Sequence, residues 1–337
     1  MRVLVRGAGV IGLAVAEELM CRGHEVRVVD PQPGSGASRV AAGMLAPAAE
    51  AQHTSPEIWS LGEESLRLWP AFAERLGVRL HRTGTLLVGR DAGDLQAVRR
   101  QAELAQAAGA RVEHLDRRAL MSAEPSLSDR VVGGVRLPDD HSVDPRAVLA
   151  ALLARLPVAP EASDPFEAEV TVLATGARLP SPYAHLVRPV RGEILRLRTD
   201  DPPRATVRGW AHGEPVYLVP RPGGEVVVGA TSEEHDGRPV VTAGGVRRLL
   251  EAAVALVPGL DRAALVESAV GDRPSTPHGL PLIGPTRDPG VLLAAGHHRH
   301  GVLLAPLTAR LVADHLETGA VHPLTDPRDH LEAPCPT

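Results

Sequence analysis

"RVLVRGAGVIGLAVAEELMCRGHEVRVVD", residues Arg2 to Asp30, decides the fold. Val3 to Val5 form a short aliphatic run, followed by a GxGxxG pattern at Gly7, Gly9 and Gly12. Apolar residues then return at helical spacing through Ile11, Val15 and Leu19. Gly23 closes that helix, and "EVRVVD" alternates into a second strand ending on Asp30. Strand, tight turn, helix and strand make the opening unit of a doubly wound α/β domain that binds a dinucleotide. Gly7 permits the turn, Gly9 lets a pyrophosphate approach the backbone, and Gly12 lets helix and strand lie close. The unpaired N–H groups of the helix start favour phosphate, and Asp30 is placed to accept hydrogen bonds from ribose hydroxyls. The fingerprint alone does not separate FAD from NAD.

At 337 residues the chain has room for about two domains. It is 44% hydrophobic and 23% charged, the balance of a globular protein, and only 2% aromatic, so its core is aliphatic. The net charge of −5 is unpatterned, with no basic stripe for nucleic acid. All 36 basic residues are arginine. With no lysine, both a P-loop and a Schiff-base pyridoxal phosphate enzyme are excluded. Cys21 and Cys335 offer neither a disulfide framework nor metal spacing. No signal-peptide pattern and no apolar run near ~18 residues is present, so a cytoplasmic protein without a membrane span is expected.

Beyond Asp30, "PQPGSGASRVAAGMLAP" is a loop of small residues whose Met44, Leu45 and Pro47 predict a packed course. Helices are predicted over 60–77, over "AGDLQAVRRQAELAQAAG" and over 143–156, the last with Asp144 as N-cap and Pro145 at its first position. "AEVTVLATGA" reads as a buried strand running into Thr175 and Gly176. "PVYLVPRPGGEVVVGAT" reads as a hairpin around Pro222 to Gly224, and a helix follows from about 243 to 256.

Taken in order, GxGxxG, "GASRVAAGMLAP", "VDPR", "VLATGA", "PVRGEI", "VYLVPR", "RPSTPHGLPLIGP" and "GHHRHGVLLAP" resemble the D-amino-acid oxidase-like flavoprotein family, most closely its glycine oxidases of thiamine biosynthesis. The resemblance implies an α/β (α+β two-domain) fold, in which a Rossmann-like FAD-binding domain carries a second, mainly antiparallel-sheet substrate domain. The FAD domain is expected over 1–80, 141–185 and 268–325, the substrate domain over 81–140 and 186–267, and an extended tail over 326–337. The implied activity is oxidative deamination of glycine, or another small amine or D-amino acid, by noncovalent FAD. Its products are imine or glyoxylate, ammonia and hydrogen peroxide, and its electron acceptor is molecular oxygen. The implied partner is the thiazole-forming enzyme of thiamine synthesis, and a homo-oligomer is expected.

By the same resemblance, Val10, Ile11, Asp30, Pro31, Ala37, Ser38, Ala42, Gly43 and Met44 match FAD-contacting positions, as does the run His297, His298, Arg299, His300, Gly301, Val302 and Leu303. Arg273 matches a clamp for the substrate carboxylate, Arg299 a second substrate-side position, and Tyr217 the active-site tyrosine. A carboxylate in a dry pocket calls for a planar, always-charged, bidentate partner, which arginine supplies. The structural alternatives are a salt bridge between Arg273 and Asp272, and ordinary packing for Tyr217. No side-chain base is required, so none is assigned. The amides of Gly301 to Leu303, at the start of a helix, are placed to stabilise negative charge on a reduced flavin.

Departures from the family are Asp272 for leucine, Ser275 for glycine, His300 for asparagine, His298 for an aromatic residue, and Ser232 where one type of glycine oxidase has methionine. The segment 157–169 is also too short for the β-excursion that supplies an FAD contact in relatives. Two alternatives therefore stay open: a D-amino-acid oxidase or dehydrogenase of broader specificity, and an FAD-binding protein without catalysis. A covalent flavin link of the sarcosine oxidase kind is disfavoured, since no cysteine lies near Arg299. The three histidines of "GHHRHG" suggest a metal site at first sight. On one short turn their rings splay, so the stretch reads as a flavin-binding loop, with no metal, in which His298 and His300 tune the surroundings by charge.

Overall fold

β1 (Arg2–Arg6) buries Val3 and Val5 completely and sits inside a six-stranded sheet. It pairs in parallel with β2 (Glu25–Val29) on one side and β10 (Val170–Leu173) on the other. The computed structural model describes residues 1–50, 57–160, 166–234 and 237–331. β17 (Val291–Ala295) adds in parallel beyond β10, β16 (Leu282–Pro285) closes that edge antiparallel, and β9 (Val158–Ala159) closes the other edge beside β2. Strands covered on both faces read as continuous aliphatic runs, as "VLVR" and "VTVL" do.

α1 (Val10–Cys21) leaves the end of β1 and is buried nearly all round, through Leu13, Val15 and Leu19. α8 (Gly301–Thr318) packs beside it. Arg22, which caps α1, donates to Asp314 at 2.6 Å and Glu317 at 2.9 Å near the end of α8, so the two helices run parallel. α3 (Glu57–Leu76) crosses α8, with Ser65 Oγ and Trp69 Nε1 donating to the Leu303 carbonyl at 2.6 and 2.8 Å. α6 (Pro145–Leu153) begins as expected, Asp144 accepting from the Arg146 N–H at 2.9 Å.

The second sheet has eight strands: β15 (Ala264–Ser275), β11 (Arg188–Arg198), β14 (Glu225–Gly229), β13 (Glu214–Pro220), β12 (Thr206–Ala211), β5 (Thr85–Gly89), β7 (Gly133–Leu137) and β6 (Glu113–Leu115), in that order. Only the β12–β5 pair is parallel. α7 (Ala243–Leu256) packs on its middle strands, and α4 (Ala92–Ala107) on β5, β7 and β12, while α5 (Arg117–Ala123) reaches β6 and β7. A small third sheet, β3 (Met44–Leu45), β8 (His141–Val143) and β4 (Leu80–His81), lies along the loop that follows Asp30. That loop is fixed, as expected, and carries the one-turn α2 (Ala37–Val40).

Two expectations need correction, the start of α3 and the course of the tail. α3 starts at Glu57 rather than at 60. In the shortened 157–169 segment β9 pairs with β2 and the Ala159 carbonyl accepts from the Asp30 N–H at 2.9 Å, while residues 161–165 lie outside the described residues. The tail expected to be extended over 326–337 folds back instead. Thr325 is buried, its carbonyl accepting from the Ile283 N–H at 2.8 Å and its hydroxyl donating to the Ile283 carbonyl at 3.2 Å, Pro327–His330 forms a 3-10 turn, and His330 stacks on His278 at 3.7 Å. Residues 332–337 of that tail lie outside the described residues. Among the described residues no helix is long and apolar enough to cross a membrane.

Candidate functional site

The glycine turn is built as its spacing requires. Gly7 has φ +109°, and a β-carbon there would lie 2.3 Å from the Ala174 carbonyl. At Gly12 it would lie 1.9 Å from the Gly7 oxygen, so β1, α1 and the end of β10 approach as only glycine allows. Gly9 stands at the N-cap of α1 with no side-chain cap, which leaves the helix start open to an anion. The Val10 N–H donates to Ser38 Oγ at 3.0 Å, tying the small-residue loop to that start. Asp30 is fixed by the Ala8 and Gln32 N–H groups at 2.6 and 2.7 Å, one to each carboxylate oxygen.

From this turn a cavity of about 580 Å³ runs between the two large sheets. Its dinucleotide end is lined by Gly9, Val10, Ile11, Asp30, Ala37 and Ser38, with Thr175 and Gly176 from the end of β10. Ala42, Gly43 and Met44 line it further along, as do His297, His298, Arg299, Gly301 and Val302, and Tyr217 and Arg273 complete its far part. Five expected residues do not line it. Gly7 and Gly12 lie behind the turn, Pro31 is exposed outside, His300 turns toward Glu50, and Leu303 is buried in the core beneath α3.

Arg273 comes from the outermost strand, β15, and points inward over β11. Among the described residues its guanidinium bonds only to carbonyls, those of Arg191 and Thr231, at 3.2–3.3 Å. The alternative of a salt bridge to Asp272 fails, because Asp272 takes Arg191 at 2.9 and 3.3 Å. Among the described residues no carboxylate lies within ion-pair distance of Arg273. Burial pulls its pKa below the usual arginine value, partly offset by Tyr217, and Arg299 adds to the lowering. Tyr217 lines the same end, its hydroxyl so near Gly229 that a β-carbon there would meet it at 2.3 Å. Burial raises its pKa, against the pull of Arg273, so it is a neutral phenol. Arg299 is exposed at the cavity wall.

The three histidines point different ways. His297 is buried and its Nε2 meets Thr308 Oγ1 at 2.9 Å, while His300 Nδ1 lies 3.4 Å from Glu50. His298, at φ +48°, lines the cavity with its buried Nε2 unpartnered. Burial opposes the expected tuning by imidazolium charge. Burial takes His297 to about 3; burial with Arg299 and Arg273 takes His298 to about 4. Burial also lowers His300, against the pull of Glu50. All three are neutral at pH 7.

Sequence reading missed the ionisable groups beside them. Glu50 lines the cavity and pairs with Arg208 at 2.8 Å. Burial acts to raise its pKa and is outweighed by Arg208, His300 and Arg299, so the carboxylate is ionised. Asp140, near Glu50, is buried with Oδ2 unpartnered, and burial pushes it up to about 8. Arg178, after the "ATGA" turn, lines the dinucleotide end. No spacing rule marks these residues, since their partners lie far away in the chain.

The chain matches the family described as DAO, FAD dependent oxidoreductase, over residues 2–159 and 154–315. It is 34% identical to a glycine oxidase of Geobacillus kaustophilus, with 94% of this chain and 92% of the relative covered. The crystal structure of glycine oxidase from that organism superposes with a TM-score of 0.85 at 31% identity, covering all of both chains. A bifunctional protein ThiO/ThiG of Nostoc sp. is 34% identical over 93% of this chain, which spans only 52% of that longer relative. With nearly its whole length matched, the chain belongs to the DAO family of FAD-dependent oxidoreductases.

Proposed function

We propose that this protein is a glycine oxidase: it binds FAD noncovalently, oxidises glycine to the imine with oxygen as acceptor, and supplies that imine to thiazole formation in thiamine synthesis. The observation that carries the reading is Arg273, a guanidinium in the cavity wall without an acidic partner among the described residues, sharing one cavity with the glycine turn. Relatives named glycine oxidase, and one named as a ThiO/ThiG fusion, support the substrate and the thiazole-forming partner.

The residues fit FAD. The turn at Gly7 and Gly12 leaves no room for side chains, the start of α1 is uncapped, Asp30 is held at the end of β2, and the turn, that helix start and Asp30 border one cavity. Gly9, Val10 and Ile11 would hold the pyrophosphate and Asp30 the ribose. Ala42 to Met44, with Gly301 and Val302, would hold the isoalloxazine. When bound, FAD supplies the two-electron chemistry, taking hydride from the substrate Cα and passing the electrons to oxygen to give hydrogen peroxide. Arg273 anchors the carboxylate through two parallel hydrogen bonds, which fixes the Cα–H toward the cofactor. Tyr217 donates its phenolic proton as a hydrogen bond at the same end. The positive end of α8 faces the cavity and favours negative charge there. Water then hydrolyses any imine not passed on, giving glyoxylate and ammonia.

We also place the FAD domain at 1–80, 141–185 and 268–325 and the substrate domain at 81–140 and 186–267, with a cytoplasmic setting and a homo-oligomeric assembly. The test is anaerobic addition of glycine to the yellow holoenzyme. Bleaching of the flavin, followed by oxygen uptake on aeration, is the expected result. Bleaching by D-alanine but not glycine would overturn the substrate. An intact yellow spectrum with every small amino acid would overturn the enzyme.

A further inference from the structure

Three arginines are buried to below a tenth of their surface: Arg191, Arg196 and Arg221. Arg191 pairs with Asp272 and Arg196 with Glu225, but among the described residues Arg221 has no carboxylate within ion-pair distance. A buried guanidinium without an acid is costly. Burial accordingly drags its pKa down to about 10. Such a side chain is kept where its hydrogen bonds fix something that apolar packing would not.

What it fixes is the middle of the cavity wall. Arg221 follows β13 at the hairpin turn, its own N–H held by the Glu225 carbonyl at 2.7 Å. Its Nη2 donates both to the Val143 carbonyl at 2.8 Å and to the Ala42 carbonyl, and Nη1 reaches Ser142 Oγ at 3.4 Å. Ala42 and Gly43 line the cavity. The Gly43 carbonyl accepts from the Val143 N–H at 2.9 Å, so both loop carbonyls are turned to protein donors. In a trans peptide the C=O and the following N–H point opposite ways. With the Ala42 carbonyl drawn to Arg221, the Gly43 N–H faces away from it, and no described hydrogen bond uses that N–H. Gly43 has φ +73°, and a β-carbon there would lie 2.0 Å from the Val143 oxygen, so only glycine fits the loop in this conformation.

We propose that Arg221 is a positioning residue for the cofactor: reaching from the eight-stranded sheet, it turns the Gly43 N–H into the cavity as a donor to FAD and sets the loop's distance from the substrate clamp. Tyr217 stands on the same strand, and β13, β14, β11 and β15 are consecutive neighbours, so the ladder that carries Arg221 also carries Arg273. One guanidinium thereby joins the flavin loop to the sheet that orients the substrate. The inference rests on FAD filling the cavity. A wild-type protein that carries no FAD would overturn that reading, a result distinct from bound flavin that does not respond to Arg221.

The experiment uses the purified holoenzyme and reads the visible absorption and circular dichroism of bound flavin, with FAD release on dilution followed by flavin fluorescence. R221M is expected to shift the flavin bands and weaken FAD binding by about tenfold or more, the loss of a charge-assisted contact. R221K is expected to restore both, since Nη2 alone makes the two carbonyl bonds and an ammonium can make them too. Wild-type spectra and affinity in R221M, or R221K as impaired as R221M, overturn the proposal. Should R221M not fold, amide hydrogen exchange of the wild-type holoenzyme decides. Protection at Gly43 supports the proposal, and exchange there at an unprotected rate overturns it.

Discussion

The guanidinium of Arg273 packs against the backbone of Gly192, so closely that a β-carbon on Gly192 would lie 2.2 Å from Nη2. The glycine of "PVRGEI" is thus the floor on which the clamp rests. Gly192→Ala pushes Arg273 off that floor without touching the glycine turn. The KM for glycine is expected to rise roughly 10–100-fold, with the flavin spectrum unchanged. Steady-state oxygen uptake beside an absorption scan checks both halves of this expectation.

Acid should destabilise the protein through its buried imidazoles. His297 has its pKa carried from 6.5 to about 3 by burial, and His278 to about 4 by burial and His330. Below pH 6.5 the unfolded chain takes up protons that the folded chain refuses, so stability falls as pH drops from 6.5 toward 4. The slope is about 1.4 kcal/mol per pH unit for the buried His297 and less for the half-buried His278, whose shift solvent screens. Thermal melts at pH 7 and pH 5 should show the loss, and His297→Gln should shrink the difference between the two pH values. Equal pH dependence in the variant would count against a neutral buried His297.

Asp140 works in the opposite sense. Folded, it keeps its proton up to about pH 8, whereas the unfolded carboxyl releases it near 3.8. Its contribution is complete below 3.8 and is lost as pH rises through 8, where the folded chain must ionise a buried group. Asp140→Asn removes that ionisation and is expected to be more stable than the parent at pH 9, by on the order of 1–3 kcal/mol. The gap should narrow by pH 5. Urea unfolding at the two pH values measures it.

Arg178 is exposed at the dinucleotide end of the cavity, on the turn after β10 that abuts Gly7 and Gly12. A pyrophosphate there would gain its charge. Arg178→Ala is expected to weaken FAD binding about three- to tenfold and to flatten its salt dependence. Dilution of the holoenzyme at low and high salt, with released FAD read by fluorescence, tests this. An unchanged salt slope would remove Arg178 from the site.

Much of the arrangement was legible because it is local. A GxGxxG turn between strand and helix, Asp144 before Pro145, and "PRPGG" between alternating runs each settle their own conformation within a few residues. Asp30 was legible from its place at the end of the second strand, whereas Tyr217 and Arg273 were singled out through family resemblance, which condenses contacts made across the fold. What escaped was nonlocal and particular to this chain. Glu50 meets Arg208 and His300 only after α8 and the second sheet dock, and the titration of His298 depends on burial that no spacing encodes. The tail was misread because proline and charge suggested extension, whereas Thr325 had a backbone partner waiting in Ile283.

The parallel course of α1 and α8 has a further consequence. Both helices start at the cavity and both end where Arg22 gathers Asp314 and Glu317. Side by side and pointing the same way, their backbone dipoles repel, pooling positive potential at one end and negative at the other. Arg22 answers the negative end from within the chain. The positive end has no acidic side chain in the first turn of either helix. In the proposed binding mode the start of α1 meets the pyrophosphate and the start of α8 meets the isoalloxazine, so the two positive ends serve different parts of one ligand. An anionic ligand bound there would lessen the repulsion between the two dipoles, so the holoenzyme is expected to be more stable than the protein without flavin.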